Sequence, residues 1–185
     1  MKDFGRENLY FSLCGINCGL CSMHIGGHCP GCGGGAGNQS CAIAKCSLCH
    51  DKVEYCFLCP EYPCQRYEGI EEYDSFITHQ RQLRDNEKAQ VIGINAYNEE
   101  QAKKVEILKM LLSDYNDGRR KTFYCVAVNL LSLEDIESVL VEIKNNKSCK
   151  DISLKDKAEH IASLFQNIAS RKGIILKLRK KPVKK

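Results

Sequence analysis

The stretch that decides how this chain is built runs Cys14-Gly15-Ile16-Asn17-Cys18-Gly19-Leu20-Cys21, Cys29-Pro30-Gly31-Cys32, Cys41-Ala42-Ile43-Ala44-Lys45-Cys46-Ser47-Leu48-Cys49 and Cys56-Phe57-Leu58-Cys59-Pro60-Glu61-Tyr62-Pro63-Cys64. It holds eleven of the thirteen cysteines and four C-x2-C pairs. That spacing lets two thiolates turn back onto one tetrahedral ion, and two such pairs from different loops close a four-thiolate site. One pair would be a weak signal; four within so short a span point to metal ligation. In a reducing compartment dense cysteine reads as ligation rather than as disulfides, and an odd total suits a disulfide framework poorly. In Cys29-Pro30-Gly31-Cys32 the proline fixes the turn and the glycine allows the tight backbone that aims amides at sulfur.

The same segment is poor in large aliphatic residues and in helical periodicity. It cannot bury enough apolar area to fold alone, so ligation is expected to supply the missing stability. The eleven cysteines are joined by His24, His28 and His50. Eleven thiols and one imidazole would fill three closed sites, and two sites with spare thiols fit equally well. Two to three zinc ions are therefore expected. Cys125 lies in an apolar run and reads as core. Cys149, between Lys147 and Lys150, reads as a surface thiol. His79 and His160 fall on predicted helices as surface or interface residues.

Beyond about residue 65 the pattern becomes helical. Helices are predicted over Asp74–Arg84 and Asn86–Ile92, the latter stopped by Gly93. Asn98-Glu99-Glu100-Gln101 has the form of a capping box opening a long helix. Its expected inward face is Ala102, Val105, Leu108, Leu112 and Tyr115, with Gly118 as the stop. Thr122–Leu131 is apolar throughout and is predicted helical. Ser132 opens a helix with Leu133, Ile136, Val139, Leu140 and Ile143 inward. Ser153 opens another with Ala158, Ile161, Leu164, Phe165 and Ile168 inward, ended by Gly173. Ile174–Leu178 reads as a brief strand, and Arg179 onward as a frayed end. The expected fold is thus mostly α, with an irregular N-terminal cysteine-rich metal-binding module over 1–66. A C-terminal helical bundle of four to five helices follows over 67–173, then a basic tail over 174–185.

Charge narrows the partners. The chain carries a net charge of +4. Residues 171–185 contain eight Lys/Arg and no Asp/Glu, leaving 19 basic against 23 acidic residues in 1–170. A zinc ion with four thiolates adds about two negative charges, so a general nucleic-acid surface on the body is disfavoured. No run of about 18 apolar residues occurs and the N-terminus has no apolar signal stretch. A cytoplasmic protein with no membrane partner is expected.

The ordered blocks Cys14-Gly15-Ile16-Asn17-Cys18-x-x-Cys21, Cys29-x-Gly31-Cys32, Cys41-x-Ile43-x-x-Cys46 and Cys56-x-x-Cys59-Pro60-Glu61-Tyr62-Pro63-Cys64 resemble the small cysteine-rich prokaryotic proteins grouped as domain of unknown function 3795. The likeness covers about residues 12–70. Asn116-Asp117-Gly118-Arg119-Arg120-Lys121-Thr122-Phe123-Tyr124-Cys125 also looks like the helical extension of some members. The resemblance implies a zinc-binding module with no activity attached to it. It places ten cysteines on the pattern, Cys14, Cys18, Cys21, Cys29, Cys32, Cys41, Cys46, Cys56, Cys59 and Cys64, and leaves Cys49 as an extra.

The leading expectation is a structural zinc protein serving as an interaction or scaffold module for a protein partner. Closed four-thiolate zinc holds shape and does no chemistry. One alternative is an iron–sulfur cluster electron carrier. The Cys14-x3-Cys18-x2-Cys21 spacing also occurs in radical enzymes that cleave S-adenosylmethionine, but their β-α repeats are absent from this pattern. A second alternative is nucleic-acid binding through the 171–185 tail. An enzyme is not favoured: His24, His28, Asp51 and Glu54 are available, yet no H-E-x-x-H or H-x-E pattern occurs and no residue is assigned a catalytic role. Gly33–Gly37 lacks a following Gly-Lys-Ser/Thr and reads as a connector. Arg119, Arg120 and Lys121 read as a solvated turn.

Overall fold

Helix-start chemistry places the C-terminal elements. Ser132 Oγ accepts the Asp135 N–H at 3.2 Å and donates to Asp135 Oδ2 at 2.8 Å. Ser153 Oγ does the same with Asp156 at 3.2 and 2.7 Å. Each serine thereby satisfies an orphan amide of the first turn. The computed structural model describes residues 3–35, 41–145 and 152–182. Cys149, Ala36 and Gly37 of the glycine-rich connector, and Lys184 and Lys185 of the tail lie outside the described residues.

The chain is mostly α-helical: α1 (Ser22–Ile25), α2 (Ala42–Leu48), α3 (Gln82–Ile92), α4 (Ile94–Asp114), α5 (Lys121–Leu130), α6 (Leu133–Asn145) and α7 (Leu154–Arg171). Short 3-10 turns occupy Cys18–Leu20, Cys56–Leu58 and Gln65–Tyr67. No strand occurs among the described residues; a single antiparallel bridge joins Phe11 to Asn17. The chain divides into two compact units, Met1–Ala102 with Leu178–Lys185, and Lys103–Lys177.

In the second unit the buried faces of α6 and α7 follow the sequence pattern. Ile136, Val139 and Ile143 are buried on α6, and Ala158, Ile161, Leu164, Phe165 and Ile168 on α7. Helix α5 is buried from Tyr124 through Leu130, Cys125 included, as an element apolar all round must be. Helix α4 departs from expectation. Its buried positions include Val105, Leu108 and Leu111, whereas Ala102 is exposed and Leu112 and Tyr115 are only partly covered. The buried face is rotated because Lys104 turns inward: its ammonium donates to the Leu131 carbonyl at 2.8 Å, just past the end of α5. A helix C-terminus leaves carbonyls without partners, and a cation satisfies one there.

The first unit has a small aromatic core. Phe11 packs on Tyr55 and Tyr97, with ring centroids 5.6 and 4.6 Å apart, and Tyr55 stacks on Phe57 at 5.2 Å. Ala89 and Ile94 close the cluster. The lead segment is integral to this core. Arg6 donates to the Glu54 and Phe11 carbonyls at 3.0 and 2.9 Å, pairs with the Glu54 carboxylate at 3.1 Å, and lies over the Tyr55 ring.

Three expected elements change here. The two helices predicted over 74–92 become the single α3, starting at Gln82. Asp74 does not open a helix, because its carboxylate gathers the His79 N–H at 2.7 Å, the Thr78 hydroxyl at 3.4 Å and the Gln80 amide at 3.2 Å into a loop. Helix α4 begins at Ile94 rather than near Asn98, directly after Gly93, whose φ is +84°. The Asn98 side chain instead accepts from the Asn8 amide at 2.9 Å. Finally, Ile174–Leu178 is not a strand, and Arg179 is held rather than frayed. The Asp74 N–H donates to the Arg179 carbonyl at 2.8 Å, and the Arg179 N–H donates back to the Asp74 carboxylate at 2.7 Å.

Candidate metal centre

The C-x2-C pairs are built as tight turns. The N–H of the second cysteine donates to the carbonyl of the first at 3.0 Å in Cys18/Cys21, 2.9 Å in Cys46/Cys49 and 2.9 Å in Cys56/Cys59. An i to i+3 bond of this kind brings the ends of the four-residue stretch close together. At Cys29/Cys32 the turn carries Gly31 at φ +92°, and a Cβ there would lie 2.5 Å from the Leu9 carbonyl. Glycine is required at that point on both counts.

Helix α3 positions the first block through polar side chains. The Cys14 carbonyl accepts from Gln82 Nε2 at 2.9 Å, Asn86 Nδ2 at 3.1 Å and the Tyr67 hydroxyl at 3.2 Å. Asn17 donates to the Asp85 carboxylate at 2.9 Å and accepts from the Tyr97 hydroxyl at 3.0 Å. The buried face of α3 is therefore Gln82, Asp85, Asn86 and Ala89, because the cysteine segment offers it backbone rather than apolar side chains. Sequence periodicity could not find these residues, since a helix read by its apolar stripe turns this face outward. Tyr67 was missed for the same reason: its role rests on a hydroxyl 53 residues from its acceptor.

All twelve cysteines among the described residues are free thiols. Their electrostatics sort them into two neighbourhoods. Burial pushes the Cys14 thiol up to about 12, against the Ser12 hydroxyl bond that lowers it, and the Cys32, Cys41 and Cys56 sulfurs add to the rise. Cys18 is raised by burial and then by Cys32, Cys14 and Cys21, while the Cys32 backbone N–H draws it down. Burial pushes Cys56 up to about 11, with the Tyr67 hydroxyl opposing and Cys64, Cys46 and Cys59 adding. Cys14, Cys18, Cys21 and Cys32 thus form the first neighbourhood and Cys46, Cys56, Cys59 and Cys64 the second, with Cys41 and Cys56 also acting on Cys14.

The second neighbourhood surrounds a cavity of about 30 Å³, whose wall includes its four cysteines, His50 and Tyr67. The Arg66 guanidinium lies near the Cys46 sulfur, with the Cys64 and Cys41 sulfurs also close. Cys41 is exposed at the start of α2, and Cys29 is partly covered. His24 turns Nδ1 to the Cys29 carbonyl at 2.9 Å and stands edge-on to Tyr10. His28 is exposed, as is Cys49.

Among the described residues, no three His, Cys, Asp or Glu side chains stand where they could jointly hold a metal ion as placed. The thiols are gathered in groups but not drawn to coordination distance. The chemistry of the donor set fits a borderline-soft divalent ion. Grouped thiols raise one another's charging cost, and a cation at their centre supplies the opposite charge.

No protein family model, no curated protein and no solved structure matches the chain.

Proposed function

We propose that the protein is a structural zinc-binding module whose ions hold the loops of residues 14–64 in shape, and that it serves as an interaction scaffold for a protein partner. The observation carrying this reading is the pair of cysteine neighbourhoods. Thiols far apart in sequence gather in a segment with little apolar core of its own, apart from the Phe11, Tyr55 and Tyr97 cluster at its border. Deprotonated thiols crowded together repel one another, and a cation at their centre removes that cost. Zinc with four thiolates is coordinatively closed, so the module's output is shape. An iron–sulfur cluster would use the same donors, and elemental analysis of the native protein separates the two. Zinc at two or more ions per chain is the expected result; iron with inorganic sulfide would replace this reading. Chelation is expected to open residues 14–64 to protease first. A chelated protein whose cleavage pattern matched the native one would refute the structural role.

A further inference from the structure

Resting on the zinc reading, we infer that Cys46, Cys56, Cys59 and Cys64 form one complete single-ion site, separate from the ligands around Cys14, Cys18 and Cys32. All four cysteines line one cavity of about 30 Å³, and Cys14, Cys18 and Cys32 are not among its lining residues. They arrive from two places: Cys46 from helix α2, and the other three from the turns of 56–64. Two sequence-distant arms meeting on one cavity is the arrangement by which thiolates close a tetrahedral shell.

Cys56 also acts on Cys14 across the two groups. It belongs to the second site because the sulfurs acting most on it are Cys64, Cys46 and Cys59. Two donors complete the surroundings. The Arg66 guanidinium lies near the Cys46 sulfur and the Tyr67 hydroxyl near that of Cys56, each within range to donate to a thiolate. Such outer hydrogen bonds orient ligands and offset the two negative charges of a four-thiolate zinc. The Tyr67 hydroxyl is also bonded to the Cys14 carbonyl, which keeps its Gln82 and Asn86 donors if Tyr67 turns fully to sulfur. His50 lines the same cavity, but four thiolates already fill a tetrahedral shell, so it stays outside the coordination sphere.

Zinc content is measured on the full chain and on Cys59→Ser, Cys32→Ser and the double variant. Each single substitution is expected to lose one ion per chain and the double to lose two. If Cys59→Ser loses none, or the double loses no more than either single, the division is wrong while the zinc reading stands. A native chain without zinc overturns both. Should a serine variant fail to fold, the native protein gives a second readout: stepwise chelation with pulse alkylation, mapped by mass spectrometry. Cys46, Cys56, Cys59 and Cys64 are expected to become labelled together, in a step distinct from Cys14, Cys18 and Cys32. Labelling of all seven in one step, or of Cys56 together with Cys14, Cys18 and Cys32, overturns the inference.

Discussion

Arg6 shows how much of this unit depends on single polar side chains. Its guanidinium is buried, bonded to two carbonyls and paired with Glu54. Arg6→Ala leaves those carbonyls without their charged donor, and bonds to charged groups are worth roughly 1.5–3 kcal/mol each. A loss of about 3 kcal/mol is expected, read as a lower urea midpoint of the native protein. Gly31 makes the complementary point about space. Gly31→Ala must force a side chain into φ +92° and against Leu9, at a cost of about 1–3 kcal/mol. Gly27→Ala is the control for backbone strain alone, since φ there is +73° and a Cβ would meet nothing within 4 Å. The glycine and proline of the Cys29–Cys32 turn were legible in the sequence because their reasons are local. Arg6 was not, because its partners lie up to 48 residues away.

At the scale of elements, local chemistry was again the readable part. Helices α6 and α7 start where a serine followed three residues later by an aspartate says they should. Ser132→Ala and Ser153→Ala are each expected to cost about 1 kcal/mol in chemical denaturation. The α4 face was misread because a buried lysine took an inward position for a carbonyl on another helix. The 74–81 segment was misread because one carboxylate recruited the amides a helix would have used. That carboxylate has a pH signature. Burial works against the Asp74 charge, but the Arg179 and His79 N–H groups, the Arg179 guanidinium and Gln80 outweigh it and hold its carboxyl below the usual value. A depressed folded value means the contribution is complete above the unfolded value of about 3.9. It is lost as pH falls through the folded value. Asp74→Asn is therefore expected to lower thermal stability at neutral pH and to flatten its decline below about pH 4. An unchanged slope would count against the Asp74–Arg179 contact.

For the molecule as a whole, the sequence carried the fold class and the location of the cysteine module, since both follow from composition and spacing over tens of residues. The division of cysteines into two neighbourhoods was not legible. Ligand pairing depends on where α3 and the 56–67 turns bring loops together, and the side chains that do so are Gln82, Asn86 and Tyr67. Removing that support without touching a sulfur tests the point. Asn86→Leu, at a fully buried position, leaves the Cys14 carbonyl one donor short, and it is expected to weaken zinc retention about tenfold in a chelator competition. The return of the chain end has a consequence in time. Asp74 and Arg179 lie 105 residues apart, and ribosomes add about 5–20 residues per second. Roughly 5–20 s of synthesis therefore separate the two halves of that contact, so the unit begun first is fastened last. Until then the first unit stands without the contact that fastens its returning segment, and its thiols are exposed to oxidants in a chain not yet closed.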